Sequence, residues 1–279
     1  MPLKLMYITN KPDVALVAQS AGVDRIWIDL EVLGKKERQG HVDSVKSDHS
    51  IEDISVIKPL LNQSELLVRV NPINPSSKDE INRVVENGAD IVMLPMFKTK
   101  EEVQFFIDCI NGRARTLLLL ETKEAANNVD EILSVDGIDE IHIGLNDLHL
   151  AYKMKFMFEL LADGTVEWLC SKFKSKGLPY GFGGIARLGY GDLPAEYVIA
   201  EHYRLGSNMA ILSRSFCNAD KVEDISEVAD IFKQGVNEIR SYETRLKTED
   251  GVFFEHNQRL VCDIVKKIAY DKFKLNVVG

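Results

Sequence analysis

The chain has 279 residues, of which 45% are hydrophobic and 28% charged, a composition that supports a sizeable core and excludes general disorder. Its 34 basic and 43 acidic residues give a net charge of −9, without the excess of Lys and Arg that binding to nucleic acid or an anionic membrane requires. The four cysteines form neither a CxxC pair nor a cluster with histidine, which argues against a zinc site or a disulfide framework.

Short apolar runs alternate with helical patterns along the chain. The runs that favour strands are Lys4–Thr9, Arg25–Glu31, Leu66–Asn71, Ile91–Phe97, Arg115–Glu121, Glu140–Leu145, Tyr180–Ile185 and Met209–Phe216. The patterns that favour helices after them are Pro12–Ala21, Ile51–Leu61, Ser77–Asn87, Lys100–Ile110, Lys123–Leu133, Val166–Ser175, Ala195–Arg204 and Ile225–Arg245. The chain is therefore predicted to contain eight successive β/α units.

Most of the predicted strands are continuous apolar runs, which is typical of parallel strands buried on both faces. Eight β/α units of this kind predict a (β/α)8 TIM barrel, which we assign to residues 1–247 as a catalytic domain. Residues 248–279 would then form a C-terminal helical extension. The alternative is an open doubly wound sheet, but no glycine-rich fingerprint follows the first strand.

The predicted extension carries large apolar side chains at near-helical spacing. They are Phe253, Phe254, Leu260, Val261, Ile264, Val265 and Ile268. A helix beyond a complete barrel must cover such a stripe, either against its own barrel or against a second subunit.

Barrel enzymes place their active sites at the carboxyl ends of the strands, so polar residues at those ends are the candidates for function. Asp29 and Glu31 end the second strand, Arg69 lies near the end of the third, and Glu121 ends the fifth. Asp29 and Glu31 point the same way because side chains alternate along a strand. They could hold water at a metal or form an ion pair with the arginine.

Glu121 and Asp147 are the predicted metal ligands. They end consecutive strands, which lie about 5 Å apart in a sheet, and their oxygens suit a hard divalent cation such as Mg²⁺ or Mn²⁺. The alternative roles are structural, with Asp147 as a turn or N-cap residue and Glu121 as a charge at the start of the next helix.

Arg69 lies between two valines of the third strand. An arginine inside a barrel needs anionic partners to offset its desolvation, and its planar fork can hold a carboxylate through two hydrogen bonds. The alternative is a structural ion pair with Asp29 or Glu31.

Several segments resemble the HpcH/HpaI aldolase and citrate lyase β-subunit family. They are AGVDRIWIDLE, LLVRVNP, GADIVMLPMF and LLLLETKEAANNVDEILSVDGIDEIHIGLNDL. The resemblance implies a phosphoenolpyruvate/pyruvate-type barrel in which Glu121 and Asp147 hold a divalent metal while Arg69 binds a keto acid and stabilises its enolate. It also implies that the substrate carboxylate is cradled by the backbone around Gly144, Leu145 and Asn146.

The chain departs from the family pattern at Val32, where the aldolase branch has a histidine for proton transfer and the citrate lyase branch an acid. Within the long loop after the second strand, His41 is our candidate for this catalytic role, and His49 and His149 are the alternatives. Each of the three could instead be merely solvated. His142, inside the sixth strand, is predicted to be a packed or supporting histidine.

Two loops carry further candidate features. The glycine-rich segment 181–192 and its Arg187 could bind phosphate through backbone N–H groups, or it could form a flexible lid or tight turns. The charged stretch 35–38 is either a solvated surface or a clamp on an anionic substrate when the loop closes.

These observations predict a metal-dependent carbon–carbon lyase or aldolase that acts on a 2-keto acid such as pyruvate with an aldehyde partner. The alternatives are a CoA-thioester lyase of the citrate lyase type and a non-catalytic binding or regulatory protein on the same barrel. The expected cofactor is Mg²⁺ or Mn²⁺. Neither nucleic acid nor membrane is an expected partner.

Assembly and location complete the sequence-based expectations. The resemblance implies a homo-oligomer, because C-terminal helices of that family reach neighbouring subunits. No apolar run approaches the roughly 20 residues that span a bilayer, and the first residues lack the features of a signal peptide. We therefore expect a cytoplasmic protein.

Overall fold

A computed structural model describes residues 2–34, 48–222 and 224–278. In these ranges eight parallel strands follow one another around a closed barrel, in which the first strand also pairs with the eighth. The strands are β1 Lys4–Ile8, β2 Arg25–Asp29, β3 Glu65–Arg69, β4 Ile91–Leu94, β5 Arg115–Leu120, β6 Glu140–Ile143, β7 Tyr180–Ile185 and β8 Met209–Leu212. The predicted (β/α)8 TIM barrel is confirmed.

Helices surround the barrel in the described part of the chain. They are α1 Pro12–Ser20, α2 Ile51–Ile57, α3 Ser77–Glu86, α4 Lys100–Ile110, α5 Lys123–Asn127, α6 Val129–Ile132, α7 Leu145–Ala151, α8 Glu159–Ala162, α9 Thr165–Ser175, α10 Ala195–Leu205, α11 Ile225–Leu246 and α12 Gly251–Val278. No helix in these ranges combines the length and the apolar character that crossing a membrane requires.

Three helical predictions differ from the structure. The predicted helix Lys123–Leu133 is divided into α5 and α6 at Asn128, whose backbone angles leave the helical range. The predicted helix at 51–61 ends at Ile57 and continues as a 3-10 turn, because Pro59 has no N–H for the helical ladder. Two short helices, α7 and α8, occupy a stretch for which no helix was predicted.

The barrel interior is filled by apolar side chains above a layer of ion pairs. The apolar side chains are Met6, Trp27, Leu67, Ile91, Met93, Leu117, Leu119 and Met209. At the amino ends of the strands, buried Arg25 donates to Glu140 at 2.6 Å and to Glu65 at 3.1 Å. Arg115 pairs with both acids as well. This end of the barrel is therefore closed by charges that neutralise one another.

His142 is fully buried in the barrel wall, as predicted. Its Nε2–H donates to the carbonyl of Gly183 at 3.0 Å. Burial lowers the pKa of His142 to about 4, so the ring is neutral at physiological pH.

The C-terminal helix α12 packs against α8 and α10 of its own chain. Within the apolar stripe, Val261 and Val265 are buried, and most of the other members are partly buried against the core. At this contact Asn257 donates to the buried carboxylate of Glu201 at 2.9 Å. The stripe is thus largely covered within one chain, and by itself it requires no second subunit. The homo-oligomer stays a prediction.

Replacing His142 with glutamine is expected to flatten the pH dependence of stability. A histidine whose folded-state pKa lies below its unfolded value of about 6.5 contributes full stability above that pH. Its contribution falls as the pH drops toward 4, because His142 binds a proton in the unfolded chain but not in the folded one. We expect the free energy of unfolding of wild type to lose about 1.4 kcal/mol per pH unit more than that of His142→Gln in this window.

Urea unfolding at a series of pH values between 6.5 and 4.5 measures this difference. Glutamine retains a donor for the Gly183 carbonyl, and the exposed His256→Gln is the matched control. Parallel pH curves for wild type and His142→Gln would show that the buried ring does not set this dependence.

Candidate active site

A cavity of about 1140 Å³ lies at the carboxyl ends of the strands. Seven of the predicted site residues line it, namely Asp29, Arg69, Glu121, Gly144, Leu145, Asn146 and Asp147. Glu31 contacts Arg69 beside the cavity, and His41 lies outside the described residues. Parallel strands bring their carboxyl ends to one rim, which explains why residues so far apart in sequence meet here.

Side chains of β3 alternate between the barrel interior and the surrounding helices, and this alternation places Arg69 inside. Val68 and Val70 pack in the shell between strands and helices, whereas Leu67 belongs to the barrel interior. Arg69 has the same parity as Leu67 and therefore points inward. Its guanidinium lies 5.1 Å from the centroid of the Trp27 ring.

Arg69 is held by two buried carboxylates from β2 and the residues after it. Its Nε and Nη2 both donate to Asp29 at 2.8 Å, and its Nη1 lies 3.1 Å from Glu31 Oε2. Burial alone lowers the pKa of Arg69, but the carboxylates of Asp29 and Glu31 outweigh it and raise the pKa above its usual value. The ion pair that the sequence offered as a structural alternative is therefore present, and it keeps the guanidinium charged and fixed.

Glu121 directly follows β5 and is 3% exposed. Its Oε1 accepts the N–H of Met96 at 3.2 Å. Burial and then the nearby carboxylate of Asp147 raise the pKa of Glu121 well above its usual range, while Arg69 opposes the rise. The two carboxylates thus repel each other electrostatically, and a positive charge near them would favour their ionised forms.

Asp147 is positioned by a helix. The strand β6 ends at Ile143, and Asp147 lies in the first turn of α7. The expectation that Asp147 ends a strand is therefore corrected, because the chain leaves the sheet at Gly144 and enters the helix at once. A helix start also favours an acid in electrostatic terms, so the proposed structural role of Asp147 accords with its position.

Gly144 lets the backbone of α7 approach the carboxylate of Glu121. A Cβ atom at Gly144 would lie 2.7 Å from Glu121 Oε2 and 2.8 Å from Glu121 Cβ. Any larger residue would have to displace that carboxylate. Met96 adds a second local constraint, since its left-handed φ of 54° occurs where its N–H meets Glu121. No signal in the sequence pointed to Met96.

The histidine candidates occupy different surroundings. His49 lines the cavity, and its Nδ1 accepts the backbone N–H of Asp29 at 3.0 Å. His149 is buried on α7, where its Nδ1 lies 3.1 Å from the Leu145 carbonyl and burial lowers the pKa of the ring. Val32 is 60% exposed, and its N–H donates to Asn71 at 2.9 Å. Asn71 was not among the predicted site residues.

The glycine-rich segment 181–192 begins inside β7 and continues as a turn. The N–H of Gly189 donates to Glu196 at 3.0 Å, and the N–H of Tyr190 donates to the Arg187 carbonyl. The guanidinium of Arg187 lies 4.4 Å from the Tyr190 ring centroid. These internal contacts favour tight turns over phosphate binding. The charged stretch 35–38 lies outside the described residues.

Comparison with known protein sequences finds a matching family and a relative. The model of the HpcH/HpaI aldolase/citrate lyase family matches residues 4–157. A hydroxypyruvate/pyruvate aldolase of Rhizorhabdus wittichii is 30% identical over 138 residues, which cover 38% of this chain and 54% of that protein. The chain therefore spans about half the length of this curated relative.

Solved structures share the fold at low sequence identity. An HpcH/HpaI aldolase from Desulfitobacterium hafniense DCB-2 has a TM-score of 0.60 at 15% identity, with 90% of this chain and 95% of that chain covered. An HpcH/HpaI aldolase/citrate lyase family protein from Burkholderia cenocepacia J2315 has a TM-score of 0.61 at 15% identity, with 86% and 95% covered. The citrate synthase SbnG has a TM-score of 0.57 at 18% identity, with 76% and 87% covered.

Proposed function

The chain belongs to the HpcH/HpaI aldolase/citrate lyase family, and on that premise we propose that it is a divalent-metal-dependent aldolase. Its reaction would break or form a carbon–carbon bond between a 2-keto acid of the pyruvate type and an aldehyde. One observation carries the proposal: a fixed, charged Arg69 shares a cavity with the buried carboxylate of Glu121 and its neighbour Asp147. The name of the Rhizorhabdus relative supports the same class of substrate.

Glu121 and Asp147 would hold the cation. Oxygen donors of this kind suit Mg²⁺ or Mn²⁺, and a positive ion would offset the desolvation and repulsion that raise the pKa of Glu121. Among the described residues no three acidic, histidine or cysteine side chains group together as a metal site, so other ligands would be water and substrate oxygens. When bound, the cation supplies a Lewis acid that polarises the keto group.

Arg69 would stabilise the negative charge that develops on the enolate oxygen. Asp29 and Glu31 act as positioning residues, because they hold the guanidinium in place before substrate arrives. A donor fixed in advance stabilises developing charge without the cost of reorganising during the reaction. The backbone around Gly144, Leu145 and Asn146, which lines the same cavity, would receive the substrate carboxylate.

Removal of either proposed metal ligand is expected to abolish tight binding of Mg²⁺ or Mn²⁺. Glu121→Gln keeps an acceptor for the Met96 N–H, and Asp147→Asn keeps the size of the side chain, so both variants should fold. Isothermal titration with each cation measures the binding. The exposed Glu124→Gln on α5 is the control and should bind as wild type does. Unchanged titrations in both site variants would remove these two residues from the proposed metal site.

Arg69→Lys is expected to lower kcat for aldol cleavage about 100-fold or more, because lysine keeps the charge but loses the planar fork. Cleavage of a 4-hydroxy-2-keto acid is followed through the release of pyruvate. Arg83→Lys on the outer surface of α3 is the control for loss of an arginine fork. Turnover at the wild-type rate would limit Arg69 to a structural ion pair.

A further inference from the structure

Hydrogen bonds hold both the ring of His49 and the helix start that follows it. The Asp29 N–H donates to its Nδ1 at 3.0 Å, which fixes the ring beside the end of β2. The next residue, Ser50, is the N-cap of α2, and its N–H donates to Asp53 at 2.8 Å. Asn10 also donates to Asp53 at 3.0 Å, so the start of this helix is tied to the end of β1. His49 is therefore held between the end of β2 and the start of α2.

The hydrogen bond at Nδ1 decides the protonation state of the ring. A nitrogen that accepts an amide N–H carries no proton itself, so the single proton of the neutral imidazole is on Nε2. In an imidazolium both ring nitrogens carry a proton, so the Nδ1–H would face the N–H of Asp29 and this hydrogen bond would be lost. In this geometry His49 is a neutral donor at Nε2, and it is unsuited to take up a proton as a general base.

The residues that act on the keto acid are already assigned under the proposed function, on which this inference rests. Arg69 and the proposed cation act on the keto acid, and the carboxylate of Asp29 is occupied by the Arg69 fork. The second reacting oxygen belongs to the aldehyde. Negative charge develops on that oxygen when the carbon–carbon bond forms, and it needs a donor of its own.

We propose that His49 is a catalytic residue that donates a hydrogen bond from Nε2 to the aldehyde oxygen as a neutral imidazole. In the direction of synthesis, the electron pair of the enolate forms the new carbon–carbon bond, and the pair of the aldehyde C=O bond moves onto its oxygen. The proton that C3 of pyruvate loses when the enolate forms passes through water to that oxygen, so water is unchanged overall, and His49 keeps its own proton. Cleavage follows the same path in reverse: the hydroxyl proton passes through water to C3 of the enolate. The role differs from the proton transfer considered for the loop histidines.

Two substitutions separate the donor role from a structural role. His49→Asn keeps an oxygen near the position of Nδ1 for the Asp29 N–H but has no donor at Nε2. His49→Gln gives up the acceptor but places an amide N–H near the position of Nε2. We expect cleavage by His49→Asn to fall about 100-fold and cleavage by His49→Gln to fall less. The reverse order would assign His49 to structure alone and overturn the proposal.

Deuterium exchange at C3 of pyruvate distinguishes a failure of this inference from a failure of the proposed function. Exchange requires the enolate but no aldehyde, so His49→Asn should retain exchange while losing cleavage. A wild type that performs neither reaction would contradict the aldolase itself. A His49→Asn variant that loses both reactions equally, or neither, would overturn only the role of His49. The exposed His256→Asn on α12 is the control.

The tautomer can be read without any turnover. A long-range ¹H–¹⁵N spectrum of histidine-labelled protein, assigned through the signal that His49→Asn removes, should show a protonated Nε2 and a bare Nδ1. A cationic ring or a protonated Nδ1 at neutral pH would overturn the proposal.

Discussion

The buried ion pair between Arg69 and Asp29 is the interaction on which the site depends. Desolvation of a guanidinium costs on the order of several kcal/mol, and only partners of good geometry offset it. The register of the barrel places Asp29 directly opposite Arg69 on neighbouring strands, so the pairing of β2 with β3 itself aligns fork and carboxylate. A slip of one residue would turn the arginine toward the helices and leave the acids unpaired.

The buried charges are arranged differently at the two ends of the barrel. At the amino end, Arg25 and Arg115 pair with Glu65 and Glu140, so that layer is balanced by the chain itself. At the carboxyl end, the carboxylates of Asp29, Glu31 and Glu121 act on the guanidinium of Arg69, and the carboxylate of Asp147 acts on Glu121. Burial and then the carboxylate of Asp147 raise the pKa of Glu121, and a divalent cation beside these two acids would favour their ionised forms.

Much of this site follows from simple rules of strand geometry. Continuous apolar runs predicted the parallel barrel, and polar residues at the ends of those runs predicted where Asp29, Arg69 and Glu121 meet. Alternation within β3 was enough to place Arg69 inside. These features depend on short-range periodicity, which a single sequence carries directly.

Other features depend on contacts that no local pattern records. The helix α7 begins so soon after β6 that Asp147 is carried by a helix instead of a strand. His49 is joined to the site by a hydrogen bond from the N–H of Asp29, which is 20 residues away in sequence. The left-handed backbone of Met96 likewise shows only in three dimensions.

The same geometry suits the proposed catalysis, because two carboxylates fix Arg69 before a substrate arrives. Oxalate mimics the planar enolate of pyruvate, so a crystal structure with Mg²⁺ and oxalate is the most direct measurement. We expect the ion at Glu121 and Asp147, with oxalate between that ion and Arg69. Oxalate bound elsewhere in the cavity, or an ion held by other residues, would contradict the proposed site.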